Sequence, residues 1–252
     1  MEARAKKIEL KKSHKVLLAI MLFIAAIAVC FGVYVRDCYH ADIEAVDIVR
    51  GISDTYMVEE REDYYIFTSD YESNAGLIFY PGGKVESEAY APLLARLAGK
   101  GITCILLKMP FNLAILDMDA AQGVKSAAPE IKNWYIAGHS LGGMTAAKYL
   151  KRSGEDYEGI IFLASYTIDN LSGMGIRALI IYGSNDKVMN MGRFEESQKN
   201  LPKDTTQVII TGGCHSYFGS YGVQKGDGAP DITREEQYEA TVNAITDFVF
   251  PQ

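Results

Sequence analysis

The chain of 252 residues is 48% hydrophobic and 23% charged. Those proportions are globular rather than disordered or collagen-like, and the length suits one or two domains. The net charge of −7 is unevenly spread: residues 1–15 carry six Lys/Arg against two Glu, while the remainder carries 19 basic and 30 acidic side chains. An acidic body excludes a sequence-independent grip on nucleic acid, which needs Lys and Arg to neutralise phosphates.

The basic head (1–15) precedes Val16–Val35, twenty residues without a charge. At about 1.5 Å per residue this run reaches roughly 30 Å, the thickness of a bilayer's hydrocarbon core. It lacks the polar stripe that a helix packed on protein would show. Basic residues lie before it, and Arg36 and Asp37 follow. The positive-inside rule therefore predicts a single-pass anchor in the cell membrane, with a cytoplasmic N-terminus and everything beyond residue 35 extracytoplasmic. A cleaved signal peptide is the rival. Its best cleavage site, Ala26-Ile27-Ala28, lies inside the apolar run, and Val29 stands before Cys30 where a lipoprotein would need a small residue. Four cysteines without a CxxC pair predict no zinc site.

Residues 36–54 read as a juxtamembrane stalk in which Ala41, Ala45, Ile48 and Val49 mark a short amphipathic helix. One domain is expected over 55–252. Tyr56–Glu60 and Asp63–Thr68 predict a strand pair, followed by a buried strand at Gly76–Tyr80 that ends in Pro81-Gly82-Gly83. Helical periodicity runs over Glu86–Ala98, and Ile102–Leu107 is another buried strand. A helical region is expected at about Leu113–Ala128, then a strand at Trp134–Ala137 and a helix at Leu141–Lys151. Strands at Ile160–Leu163, Ala178–Tyr182 and Gln207–Thr211 alternate with helices at Arg193–Asn200 and Arg234–Phe248. Apolar strands without alternation, separated by helices, predict an α/β fold: a mostly parallel central sheet covered on both faces.

Trp134–Ala137 runs into Gly138-His139-Ser140-Leu141-Gly142-Gly143, a G-x-S-x-G between a strand and a helix. Glycines at 138 and 142 let strand and helix approach closely and lift the Ser140 hydroxyl above the sheet. A serine needs a base, and the chain has four histidines. His14 precedes the apolar run, His40 follows it, and His139 adjoins Ser140 on the same turn. That leaves His215, in a loop after the Gln207–Thr211 strand, where open α/β sheets place their sites. A carboxylate to orient the imidazole should lie between them in sequence. Asp186, in the loop after Ala178–Tyr182, is favoured, with Asp169 in reserve. The oxyanion donors are expected at the backbone N–H of Leu141 and of Gly83 in Tyr80-Pro81-Gly82-Gly83-Lys84, Lys84 being the neighbour that would replace Gly83.

With these parts the chain resembles the α/β-hydrolase superfamily over about residues 55–250. The set FYPGGKV (79–85), KMPFNLAIL (108–116), GHSLGG (138–143), YGSNDKV (182–188) and GGCHSYFGSYG (212–222) is similar to the fold-5 type group of bacterial hydrolases. The resemblance implies an α/β-hydrolase fold, a hydrolase activity, the triad Ser140, Asp186 and His215, and neither cofactor nor metal. Only about a dozen residues separate Ala164 from Arg177, so no cap domain is expected there and the site should be open. The resulting expectation is an anchored serine hydrolase of small or exposed carboxylic esters, with the bilayer contacted through 16–35. An envelope acyltransferase or amidase using the same triad is the rival enzyme, and a non-catalytic binding module on the same scaffold is the rival of another class.

Overall fold

The computed structural model describes residues 12–51, 56–70 and 73–251. The outer part of the basic head, and the junction at 52–55 where the domain was expected to begin, lie outside the described residues. The chain divides into two compact units after Cys38.

The first unit is the helix α1 (Lys12–Arg36), none of whose residues is buried. Its 25 residues are long and apolar enough to cross a membrane, and the helix has no internal reason to fold against protein.

The second unit begins at Tyr39, earlier than the boundary at 55 that the sequence suggested. The segment read as a stalk belongs to this unit. Tyr39 bridges to Val85 in parallel fashion, and α2 (Ile43–Val49) buries Ala45 and Ile48. Burying one Ile side chain contributes about 2 kcal/mol, enough to hold a two-turn helix that would not persist alone.

Eight strands form one sheet in the order β1-β2-β4-β3-β5-β6-β7-β8. They are β1 (Met57–Glu60), β2 (Tyr64–Thr68), β3 (Ala75–Tyr80), β4 (Ile102–Leu107), β5 (Asn133–His139), β6 (Gly159–Leu163), β7 (Arg177–Gly183) and β8 (Asp204–Ile210). β1 and β2 pair antiparallel, as does β2 with β4, and every later pair is parallel. This is the mostly parallel α/β sheet that the alternating elements predicted, and the fold that the resemblance to the α/β-hydrolase superfamily implied. Every residue of β3, β4 and β6 is buried, as parallel strands covered on both faces require. One face packs Leu77, Phe79, Leu106, Ala137, Leu163 and Ile181 against α2, α3 (Ala91–Ala98) and α6 (Arg234–Val249). The other packs Ile78, Tyr80, Ile105, Ile136, Phe162 and Ile180 against α4 (Leu141–Ser153) and α5 (Met191–Ser197). The alternation of period two sorts neighbours to opposite sides.

Two helical expectations are corrected. The stretch from Leu113 to Ala128 is not one helix but short 3-10 turns at Ala114–Leu116 and Val124–Ala127. Gly123 at φ +73° breaks the run, and Asp117 leaves helical geometry with ψ 73°. The helix expected over Glu86–Ala98 opens instead with a 3-10 turn, Ser87–Tyr90. Pro92 then lies at the start of α3, where a missing N–H costs nothing. Between β6 and β7 no domain is inserted.

Candidate active site

β5 ends at His139 and α4 begins at Leu141, so Ser140 alone makes the turn. It does so at φ 51°, ψ −120°, a conformation that costs a non-glycine residue about 1–3 kcal/mol. Glycines make the turn sterically feasible. A Cβ on Gly138 would meet Gly142 C at 2.4 Å, and one on Gly142 would meet Tyr80 O at 2.2 Å and Pro81 O at 2.3 Å. Ser165, buried after β6, donates its hydroxyl to Ser140 O at 2.6 Å and fixes the turn from below.

His215 and Asp186 are both buried and meet directly: His215 Nδ1 stands 2.8 Å from Asp186 Oδ2. A carboxylate only accepts, so Nδ1 carries a hydrogen and Nε2 is the ring nitrogen turned away from Asp186. Nε2 is buried without a hydrogen-bond partner. The other oxygen, Asp186 Oδ1, accepts from Val188 N and Met189 N, each at 2.8 Å, which keeps the carboxylate in place. No hydrogen bond joins Ser140 to His215 among the described residues, although the His215 ring lies 4.6 Å from the ring of His139, the residue next to Ser140. Such bonds are often long before substrate binds. Asp169, the reserve carboxylate, closes a turn with Thr167 Oγ1 and has no bond to His215.

In the turn after β3, Gly82 N donates to Tyr90 Oη at 3.0 Å and Lys84 N donates to Asn112 O at 2.7 Å. Gly83 N lies between these two engaged groups, and among the described residues nothing accepts from it. Leu141 N is the first helical amide of α4 and has no acceptor within the helix. The two positions adjoin: a Cβ on Gly83 would come within 2.9 Å of Leu141 Cδ2. Lys84, with its amide occupied, is the less suitable of the two donors considered from sequence.

This arrangement has the parts of an acyl-transfer centre, and comparison with known proteins decides the family. The alpha/beta hydrolase family matches residues 76–239. The chain belongs to this family. No curated protein matches it in sequence. Among solved structures, it is similar to a dienelactone hydrolase-like promiscuous phosphotriesterase from metagenomic libraries (TM-score 0.59, 16% identity, covering 78% of this chain and 99% of that one). The Paleococcus ferrophilus monoacylglycerol lipase is similar at TM-score 0.56 and 13% identity, over 76% of this chain and 99% of the other. A soluble variant of the Saccharomyces cerevisiae monoglyceride lipase gives TM-score 0.54 and 10% identity over 77% and 94%. At such identities the likeness is one of fold.

In this alpha/beta hydrolase the loop that carries His215 is held by residues that the sequence alone does not single out. Asp227 Oδ2 accepts from Ser216 N and Ser216 Oγ, each at 2.8 Å, and its Oδ1 accepts from His215 N at 3.1 Å and Gly228 N at 2.8 Å. Burial pushes the Asp227 carboxyl up, but the bonds from Ser216, His215 and Gly228 outweigh it and hold the group below the ordinary carboxylate value. Gln237 on α6, fully buried, clamps Cys214 by both its backbone N–H (3.0 Å) and C=O (2.9 Å). Spacing along the chain gives no sign of either residue.

Proposed function

We propose that this alpha/beta hydrolase is a membrane-anchored serine hydrolase of carboxylic esters. One observation carries the reading above the others: the unpartnered Nε2 of His215, whose ring is oriented by Asp186 and packs on His139, the residue before a serine in a strained strand-to-helix turn. The monoacylglycerol lipase among the similar structures supports an ester as substrate. A missing cap supports small or exposed acyl groups rather than chains threaded into a tunnel.

Ser140 Oγ attacks the ester carbonyl while His215 Nε2 takes its proton, and Asp186 stabilises the imidazolium. The oxyanion is received by the N–H groups of Gly83 and Leu141. His215 then delivers the proton to the departing alkoxide, leaving an acyl-Ser140. Water activated by His215 releases the acid and restores the serine. The anchor α1 would hold this chemistry at the membrane surface, on the extracytoplasmic side by the charge bias of the head.

The test uses the full chain in nonionic detergent against p-nitrophenyl esters from acetyl to dodecanoyl, beside Ser140→Ala and with labelling by a fluorophosphonate. The expected result is hydrolysis favouring short acyl groups, one label per chain, and loss of both in Ser140→Ala. Equal rates in the two proteins, or neither turnover nor label in the parent, would remove the proposal and leave a non-catalytic module.

A further inference from the structure

His139 was set aside in sequence because it adjoins Ser140. Its side chain is nevertheless buried, 1% exposed, at the centre of a polar chain that crosses the site. Gly82 N donates to Tyr90 Oη at 3.0 Å. Tyr90 Oη lies 2.8 Å from His139 Nδ1, and His139 Nε2 lies 3.1 Å from His215 O.

An amide N–H only donates, so Tyr90 Oη accepts from Gly82, and a carbonyl only accepts, so His139 Nε2 carries a hydrogen. Burial, and then the neighbouring His215, push the His139 pKa well below the ordinary histidine value, so the ring is neutral in the Nε2–H form. Its Nδ1 then accepts the Tyr90 hydroxyl proton. Tyr90 is fully buried, and burial pushes its hydroxyl up, so its proton stays in place. The three bonds leave no donor or acceptor of this chain unmatched, the condition under which a buried polar network adds rigidity.

The chain connects three segments that are remote in sequence. Gly82 precedes Gly83, whose N–H is the unpaired amide of the turn after β3. His139 precedes Ser140. His215 is the base, and its ring rests against the His139 ring at 4.6 Å with an interplanar angle of 50°. Phe218 backs His139 from another side at 5.7 Å. Glycine is required where the chain crosses the turn: a Cβ at Gly82 would come within 2.6 Å of Tyr90 Oη and 2.7 Å of His139 Nδ1.

We infer that Tyr90 and His139 are positioning residues that lock the oxyanion turn, the serine elbow and the base loop into one geometry. Neither touches substrate. Resting on the serine-hydrolase reading, the inference adds a device that sets the distance between oxyanion donor and base. A neutral His139 also leaves the imidazolium that forms on His215 during turnover without a like charge at its face.

The experiment measures kcat and KM for p-nitrophenyl acetate with the full chain in detergent, each rate divided by the sites that a fluorophosphonate labels at completion. Misfolded protein is thereby left out of the comparison. Tyr90→Phe removes one oxygen and both bonds made through it. His139→Phe removes the whole ring chemistry, and His139→Gln keeps a donor for His215 O. Both phenylalanine variants should lose about 10- to 100-fold in kcat per site, as small displacements of reacting groups do, with KM within about threefold of the parent. His139→Gln should recover part of the loss. The double variant Tyr90→Phe/His139→Phe should be about as slow as the slower single one, because residues in one network do not add. Parent-like kcat per site in both single variants, or losses that multiply in the double variant, would overturn the inference while the active parent leaves the hydrolase reading standing. An inactive, unlabelled parent would overturn both.

Discussion

Replacing Asp227 by Asn isolates the clip that holds the base loop. Asp227 offers two oxygens, one to Ser216 N and Ser216 Oγ and the other to His215 N and Gly228 N. Asparagine keeps a single oxygen, so one of these donor pairs must face an NH2 group. Each hydrogen bond to an ionised partner contributes about 1.5–3 kcal/mol. Two lost bonds at a half-buried carboxylate, discounted by about half for solvent screening, give about 1.5–3 kcal/mol. The pH dependence follows from the lowered carboxyl. A group held below its unfolded value of about 4 stabilises the fold above that value, and the contribution disappears as pH falls through the folded value. Asp227→Asn cannot titrate, so the stability difference between parent and variant should be full at pH 7 and 5 and should narrow below about pH 4. Denaturant titrations of the full chain in nonionic detergent, read through Trp134, the sole tryptophan and buried on β5, measure it directly. A difference below about 0.5 kcal/mol at pH 7, the size of an ordinary surface substitution, would refute the clip. A difference that stays constant down to pH 3.5 would refute the electrostatic account of it.

Gly142→Ala places a Cβ within 2.2–2.3 Å of the Tyr80 and Pro81 carbonyl oxygens; backbone has to move, so about 1–3 kcal/mol of stability and most esterase activity should be lost, checked by thermal melting and initial rates. Asp186→Asn leaves His215 without its orienting acceptor and should lower kcat by about 10⁴-fold, the size of the corresponding loss in the chymotrypsin-type triad; retention of more than a tenth of the parent rate would remove Asp186 from the mechanism. Gly83→Pro deletes one amide donor and should cost about 10²–10³ in kcat. Gly83→Ala keeps that N–H, meets only the flexible end of Leu141, and should be far milder; equal losses in the two variants would point to crowding instead of a lost donor.

The central strands were readable because β3, β4 and β6 are short apolar runs buried on both faces, and that leaves little else for such a sequence to be. The meeting of His215 with Asp186 was readable because loops after parallel strands converge at one edge, so few histidines and carboxylates could share it; the part Ser140 plays with them belongs to the proposed mechanism. Turn geometry was not readable between Leu113 and Ala128, where apolar spacing imitates a helix but Gly123 and the aspartates allow only isolated turns. Nor was the docking of α2 visible, since Ala45 and Ile48 announce an apolar face without saying what it meets. The network through His139 had a usable signal: period two along β5 puts His139 on the side of Tyr135 and Ala137, the side that also carries Tyr90 and Phe218. Adjacency to Ser140 conceals it, because the residue next to the serine on the same turn is no candidate for its base, and that leaves a supporting role unmarked in the sequence.

The distribution of backbone strain makes the same argument from another direction. Five described non-glycine residues adopt positive φ: Lys84, Phe111, Asn112, Ser140 and Ala164. Every one follows the carboxyl end of a central strand, Lys84 after β3, Phe111 and Asn112 after β4, Ser140 after β5 and Ala164 after β6. At about 1–3 kcal/mol each, their sum is comparable to the 5–15 kcal/mol by which a whole domain is usually stable. A chain selected only for stability would replace several of them with glycine, as it does at Gly101 and Gly154, which precede β4 and β6 and also have positive φ. The non-glycine strain is gathered at the carboxyl ends of β3 to β6, the edge where the proposed mechanism places its serine and its oxyanion turn, while the positive φ after β8 falls on Gly212. The rigid, doubly covered sheet beneath supplies the packing that offsets it.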